Sequence, residues 1–346
     1  MSTEKTVLDT EAIVQEILAS IEREREREII ARRFGLFDRK ETLEQIGELL
    51  GITRERVRQL EKSVMTRLRS SSHELPHITE VEAAILATLK AVGETARIAT
   101  LGAELTAENT RTDQSRLAFL TELAPGIAAI SEDDNFYQAA GTESVHDVAA
   151  IKKEVAKLVE TVKKAGAPLE TSDLAKQSDV PNERYATALA SISKQLATLN
   201  GRWGLVKWPT VNPKNIRDKI YVILAENGKH MHFNEISEAI KASDFKRKDV
   251  TTQAIHNELI KDKRFVLIGR GIYALREWGY KKGTVADIIS EVLREANEPL
   301  HRDEIVKRVL KSRFVKETTI LLNLQSKDQF KRVAKATYEL SDAVAE

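Results

Sequence analysis

TLEQIGELLGITRERVRQLEK, residues 42–62, is the stretch that decides how the N-terminal part of this chain folds. Thr42 stands where a helix N-cap is wanted, and Gln45 completes a capping box three residues on. Leu43, Ile46, Leu49 and Leu50 then give that helix an apolar face. Gly51 supplies a tight turn and Thr53 caps the next helix, in which Val57, Leu60, Val64 and Leu68 recur every three or four residues and point inward. Arg54, Arg58 and Lys62 fall four apart on the opposite face, with Glu55 and Gln59 beside them. A helix, a glycine turn and a basic helix make a helix-turn-helix. On physical grounds the outer face reads either as an ordinary solvated face or as one whose Arg, Gln and Glu meet base edges in a major groove.

Charge supports a local polyanion-binding surface. The chain has 346 residues and a net charge of only +1, but residues 53–69 carry six Arg or Lys against two Glu. Residues 78–148 carry twelve acids against four bases, and residues 241–282 carry eleven bases against five acids. Basic segments draw a polyanion, whereas the acidic one is expected to face solvent or protein. Immediately before the motif, the alternating Glu22–Glu28 run reads as an exposed helix face.

Beyond the motif, an aromatic closing strand recurs: Phe136-Tyr137-Gln138, Trp203-Gly204-Leu205-Val206, Ile272-Tyr273-Ala274-Leu275 and Thr337-Tyr338-Glu339-Leu340, with steps of 66, 70 and 65 residues between the aromatics. The clearest unit, residues 215–280, opens with a helix from Ile216 to Ala225 ended by Glu226-Asn227-Gly228. A short extended His232-Phe233 follows, then a helix capped by Asn234 and running through Ile240. A third helix opens at Thr251 or Thr252, and Phe265–Ile268 and Ile272–Leu275 make a hairpin about Gly269-Arg270-Gly271. Three helices and a hairpin describe a winged helix, and the last unit matches it, with Thr318-Thr319 in place of Thr251-Thr252 and Phe330 in place of Phe265. The closing aromatics are expected in the core, and Lys207–Pro213, with two prolines, reads as a linker.

The fold class that follows is mainly α: a helix-turn-helix and about four tandem winged-helix-like units with short β-hairpin wings. The expected segments are a helical lead-in at 1–21, the helix-turn-helix at 22–72, an acidic winged-helix-like unit at 78–142, a second at 148–209, a third at 214–280 and a last at 284–341.

Two resemblances sharpen this. RFGL at 33–36, the 42–62 stretch and RLR at 67–69 closely resemble region four of primary bacterial sigma factors, which binds an upstream promoter element. That resemblance implies base reading by Arg54, Glu55 and Gln59. It also implies phosphate contacts from Arg56 and Arg58, backbone following by Lys62, and a place for Thr42 in the DNA-contacting set. It further implies docking on the beta flap of core RNA polymerase. It covers about a seventh of the chain, and no counterpart of the sigma segments that grip core and melt promoters is present. VILAENGKHMHFNEISEAI at 222–240 and GRGIYALREWGY at 269–280 resemble the HARE-type winged helix-turn-helix, which also occurs in the delta subunit of bacterial RNA polymerase. The delta subunit's long acidic tail has no counterpart within these 346 residues. In this unit Thr252, Gln253, His256 and Asn257 form a second surface for DNA or a partner, with Lys246, Arg247 and Lys248 near phosphates and Arg270 at the wing tip.

Other classes are set aside. There is no cysteine, which excludes disulfides and thiolate metal sites. His230 and His232 read as structural, and no cofactor or metal is expected. No phosphate loop, nucleophile elbow, zincin pair or nuclease carboxylate set occurs, so no enzyme is expected. The N-terminus, with Glu4, Asp9 and Glu11, is no secretion signal, and no apolar run spans a membrane, so a cytoplasmic, nucleoid-associated protein is expected, without membrane or small-molecule partners. The function expected is a sigma-related DNA-binding transcription factor, and the alternative is a polymerase-bound adaptor with little DNA affinity of its own.

Overall fold

The chain was analysed as a computed structural model that describes residues 7–143, 145, 147–245 and 247–341. It is mainly helical, and among the described residues every strand belongs to one of four small antiparallel sheets. Two compact units divide it, residues 1–211 and 212–346.

Unit 1 opens with α1 (Thr10–Ala19), α2 (Glu24–Phe34), α3 (Leu43–Leu50) and α4 (Arg54–Ser70). A repeat follows: α5 (Ile78–Val92), β1 (Thr95–Arg97), α6 (Ile98–Leu105), α7 (Arg111–Leu123), β2 (Ile127–Ile130) and β3 (Ala139–Thr142). The second repeat is α8 (Val148–Ala165), β4 (Leu169–Glu170), α9 (Thr171–Gln177), α10 (Glu183–Ile192), β5 (Leu196–Leu199) and β6 (Arg202–Leu205).

Unit 2 holds two more repeats. One is α11 (Ile216–Asn227), β7 (Met231–His232), α12 (Phe233–Ala242), α13 (Thr252–Lys261), β8 (Phe265–Gly269) and β9 (Ile272–Leu275). The other is α14 (Val285–Ala296), β10 (Leu300–His301), α15 (Arg302–Ser312), α16 (Glu317–Ser326), β11 (Phe330–Ala334) and β12 (Thr337–Leu340). In all four, the last strand sits between the other two and pairs antiparallel with both.

Register shows which residues are equivalent. Leu169 pairs with Trp203, Met231 with Tyr273 and Leu300 with Tyr338, and all three aromatics are buried, as expected. The first repeat differs. Its closing strand begins at Ala139, after Phe136–Gln138, and the residue at the aromatic position is Ala140, paired with Ala96. A Cβ on Gly141 would lie 2.5 Å from Ile151 Cδ1 on α8. A methyl group thus stands where the other repeats place a ring, and the glycine beside it leaves room for a side chain of the next repeat. Tyr137 is half-exposed instead, with the Arg97 guanidinium 3.8 Å above its ring and Lys194 Nζ at 5.5 Å.

Local chemistry sets several boundaries differently from expectation. α12 is capped by the His232 ring, which accepts from the Asn234 amide while Glu235 closes a capping box, so Asn234 lies inside the helix. α16 is entered from Lys316, so Thr318-Thr319 fall in its first turn rather than at the cap position that Thr251 holds for α13. Glu26 is buried rather than exposed, because it takes Arg67 at 2.6 Å and Arg23 at 3.4 Å. The 207–213 stretch is partly docked: Val211 is buried, and Val211 and Trp208 both lie against Gly204.

In unit 2, Arg264 binds Asp262 at 2.7 Å and Asp218 at 3.1 Å, tying the start of β8 to α11. The hydrogen bond from the Arg264 side chain holds the Asp262 carboxyl below its ordinary 3.8. A depressed folded pKa contributes stability above pH 3.8 that is lost as pH falls below it. The unfolding midpoint is expected to drop on acidification through that range, and Asp262→Asn should be less stable near neutrality and show a flatter acid limb. Thermal melts of both proteins across the acid range check this, and parallel acid limbs would count against it.

Candidate nucleic-acid interface

The turn between α3 and α4 is built as the sequence requires. Thr42 accepts from the Gln45 amide and Gln45 returns the bond in a full capping box, while Gly51 takes the left-handed conformation at φ 63°. A second glycine matters more for packing. A Cβ on Gly47 would stand 2.7 Å from the Ile52 carbonyl oxygen, so its missing side chain is what lets the turn close against α3. Sequence reasoning picked out Gly51 and missed Gly47, whose signal was its place one turn before the bend.

Ile29, Ile46 and Val57 form a small dry core here, ringed by Leu43, Leu50, Ile52 and Leu60. Leu49, assigned to the apolar face of α3, is 55% exposed, because it lies one residue beyond the stripe that meets α4. Removing the Ile46 side chain leaves a cavity in a core this small.

α4 has two faces with different tasks. Val57, Val64, Met65 and Leu68 are buried. Arg54, Glu55, Arg56, Arg58, Gln59 and Lys62 are all exposed, as is Thr42 at the start of α3. The exposed groups form a connected set. Arg58 grips the Glu55 carboxylate through Nε at 2.8 Å and Nη2 at 2.7 Å. Gln59 Nε2 donates to Glu55 at 3.4 Å, and Arg56 donates to Gln59 Oε1 at 3.3 Å. The Arg58 hydrogen bond holds the Glu55 carboxyl below its usual range, and Glu55 in turn raises Arg58. These pairs are open to water, so salt screens them and a competing ligand rearranges them cheaply.

Two grooves flank the helix. One of about 440 Å³ is lined by Arg23, Glu26, Arg56, Gln59 and Arg67, among others. The other, of about 480 Å³, gathers Arg33, Lys40, Arg58, Lys62 and Arg69 with Glu61, Glu122 and Glu132. Burial lowers Lys40 and raises Glu122, whose carboxylate meets Arg69 at 2.7 Å. Arg33 and Lys40 were absent from the sequence-derived set, because only the fold brings α2 and the following loop beside α4.

The helix-turn-helix shares its base with the first repeat. Val64, Met65 and Leu68 lie in one continuous core with Ile13, Val14 and Ile17 of α1 and Leu117, Phe119 and Leu120 of α7. Buried Arg116 donates to the Leu36 carbonyl at 2.7 Å and to Glu11 at 2.6 Å, and Phe34 meets Phe119 edge-on at 5.1 Å.

The second surface is only partly assembled. Lys248, Gln253, Asn257 and Arg270 are exposed, and Gln253 Nε2 donates to Asn257 Oδ1 at 3.1 Å. Thr252 instead meets Ser237 at 3.2 Å, and His256 packs between the rings of Phe233, at 5.0 Å, and Tyr273, at 6.1 Å. Lys246 lies outside the described residues.

A capped helix, a glycine turn and a second helix with a basic outer face define a helix-turn-helix. Residues 23–70 match the family described as Sigma-70, region 4, and are a helix-turn-helix segment of that kind. Sigma factors are similar to the chain over this part. The RNA polymerase sigma factor RpoD of Helicobacter pylori is 45% identical over 67 residues, 19% of this chain and 10% of that protein. The RNA polymerase sigma factor sigB of Arabidopsis thaliana is 49% identical over 47 residues, 13% of this chain and 8% of its own. SigA of a Bacillus species is 48% identical over 50 residues, 14% of this chain and 13% of its own. The chain thus spans about a tenth of the length of these relatives.

Two truncations separate the two cores that meet on α4. Ile46→Ala is expected to cost about 2–5 kcal/mol and to open α3 locally. Leu68→Ala, at similar cost, should expose amides in α4 and α7 together. Native-state hydrogen exchange reads both, and an α7 untouched by Leu68→Ala would contradict the shared core.

Proposed function

We propose that this chain is a duplex-DNA-binding protein of the transcription machinery, in which α4 enters the major groove and reads an element of promoter type. The observation that carries this reading is the outer face of α4. Arg54, Glu55, Arg58, Gln59 and Lys62 stand exposed along it while the inner face is buried to the core. Arg54, Glu55 and Gln59 have the chemistry to read guanine, cytosine and adenine, and they lie in the first half of the second helix, which is the half that reaches base edges in this motif. Arg56, Arg58 and Lys62 are then the phosphate contacts, with Thr42 at the α3 terminus beside them.

The reading extends to the rest of the chain. The order helix, strand, helix, helix, strand, strand, repeated four times, is that of a winged helix, and we assign the third repeat to the HARE type. Core RNA polymerase is the expected protein partner, through its beta flap, because the similar proteins are named as its sigma factors. We read the chain as a binding protein without catalysis, working in the cytoplasm. A polymerase-bound adaptor is the second reading, and it draws on α7 and α10, which are packed into unit 1 and leave two of the repeats without a free third helix.

Arg54→Ala and Gln59→Ala are each expected to reduce preference for the favoured duplex by about 1–3 kcal/mol, roughly 5- to 150-fold. Competition binding between a promoter-like duplex and a scrambled one, across a salt series, measures this. Unchanged preference in both variants would remove α4 as the reader. Absence of duplex binding even at low salt would favour the adaptor.

A further inference from the structure

The four repeats share one topology but not one surface. In that topology the third helix is the element placed to enter a groove. α7 cannot do so, because Arg116, Leu117, Ala118, Phe119, Leu120, Thr121 and Leu123 bury it nearly all round. α10 buries Tyr185, Ala186, Ala188, Leu189, Ala190 and Ile192, and its Arg184 carbonyl crowds Gly93 of the preceding repeat. α16 is open, with only Ile320 and Leu324 buried, but its open face carries Glu317 and a Leu322 that is 62% exposed.

α13 is different. Ile255 and Leu259 anchor it, and Gln253 and Asn257 stand exposed four residues apart, both amides able to bond an adenine edge. Exposed cations surround it: Arg247 and Lys248 before the helix, Lys261 and Lys263 at its end, and Arg270 at the hairpin tip. None of these five has an ion-pair partner among the described residues, whereas Arg264 and Lys281 nearby are each paired with two carboxylates. The loop carrying Arg247 and Lys248 is fixed from below, since buried Lys219 donates to the Arg247 carbonyl at 2.7 Å. The tip is fixed as well: Gly271 has φ 70°, and a Cβ there would lie 2.5 Å from the His232 ring.

We propose that the third repeat is a second duplex-DNA-binding head, with α13 in a groove and Arg270 on the backbone, so that one chain holds two duplex segments at once. The second head stands on its own observations, while the holding of two segments rests also on the reading of α4. The exposed Ile260 and Leu267 on the same repeat are what a protein partner would use instead, and the experiment separates the two.

Four full-length proteins test it: the wild type, Arg54→Ala/Gln59→Ala, Lys248→Glu/Arg270→Glu, and the combination of all four changes. Anisotropy with a short labelled duplex across a salt series is the first readout. Capture of a second labelled duplex by protein held on a bead-bound duplex is the other. Arg54→Ala/Gln59→Ala should keep salt-dependent duplex binding. Adding Lys248→Glu/Arg270→Glu should weaken that remainder about tenfold or more and cut the salt slope by about two. Lys248→Glu/Arg270→Glu alone should leave binding of the first duplex in place and abolish capture of the second. Slope and capture equal to wild type in Lys248→Glu/Arg270→Glu would overturn the second head and point to protein docking there. Loss of all duplex binding in Arg54→Ala/Gln59→Ala would overturn it too, while leaving α4 as the reader. Unchanged sequence preference in Arg54→Ala/Gln59→Ala, with binding lost in Lys248→Glu/Arg270→Glu, would overturn α4 and the holding of two segments but keep the α13 head. A wild-type chain that binds no duplex would overturn both.

Discussion

Everything in the N-terminal part of this protein hangs on α4 belonging to two cores at once. Its 17 residues give it a length of about 25 Å. Val57, near its start, closes the small core of the helix-turn-helix, while Val64, Met65 and Leu68 belong to the larger core built with α1 and α7. A helix pinned at both ends in this way cannot swivel without emptying one core. The exposed groups at its start are therefore held in a fixed orientation against a much larger body, rather than on a tethered module. Arg116 adds to this, since its buried guanidinium links α7 to the Leu36 carbonyl that follows α2 and to Glu11 on α1. With Asp113 also at 3.5 Å, losing either acceptor would strip a buried guanidinium of one of its partners, a cost that disfavours any loosening of the joint.

Local chemistry was legible in the sequence wherever one residue type has one plausible task. Thr42 and Thr53 cap, Gly51 turns, and the inward stripe of α4 runs as its spacing requires. The recurrence of four similar repeats was also visible, because Trp203, Tyr273 and Tyr338 hold the same place in the sheet. What the sequence hid was long-range. Ala140 stands in the aromatic slot of the first repeat, and nothing in its neighbourhood along the chain announces that Ile151 will close on Gly141 beside it. Tyr137 drew attention as the nearest aromatic and belongs to another contact altogether.

The candidate site shows the same division. Five exposed residues of α4 follow from helical periodicity, Arg56 follows from the resemblance, and none of the six needed a structure. Lys40, Arg33 and the carboxylates of Glu122 and Glu132 reach the same groove only because α2 and the first repeat are folded against α4. On α13 the periodicity was sound, but it could not reveal that Ser237 faces Thr252 or that two aromatic rings enclose His256. Periodicity assigns a face; only packing decides which members of that face remain free.

The exchange of an aromatic for Ala140 also bears on how such a chain can be rearranged. The third and fourth repeats each keep their own closing ring, so each carries the means to complete its own interior. The first repeat has Ala140 at that place, and its Ala128, Ile130 and Ala139 share a core with Ile151 of the next repeat. The two halves of the chain have thus moved apart in modularity. Repeats like those of unit 2 can be duplicated, lost or grafted one at a time, whereas the first two repeats are obliged to be inherited, and to fold, as a pair.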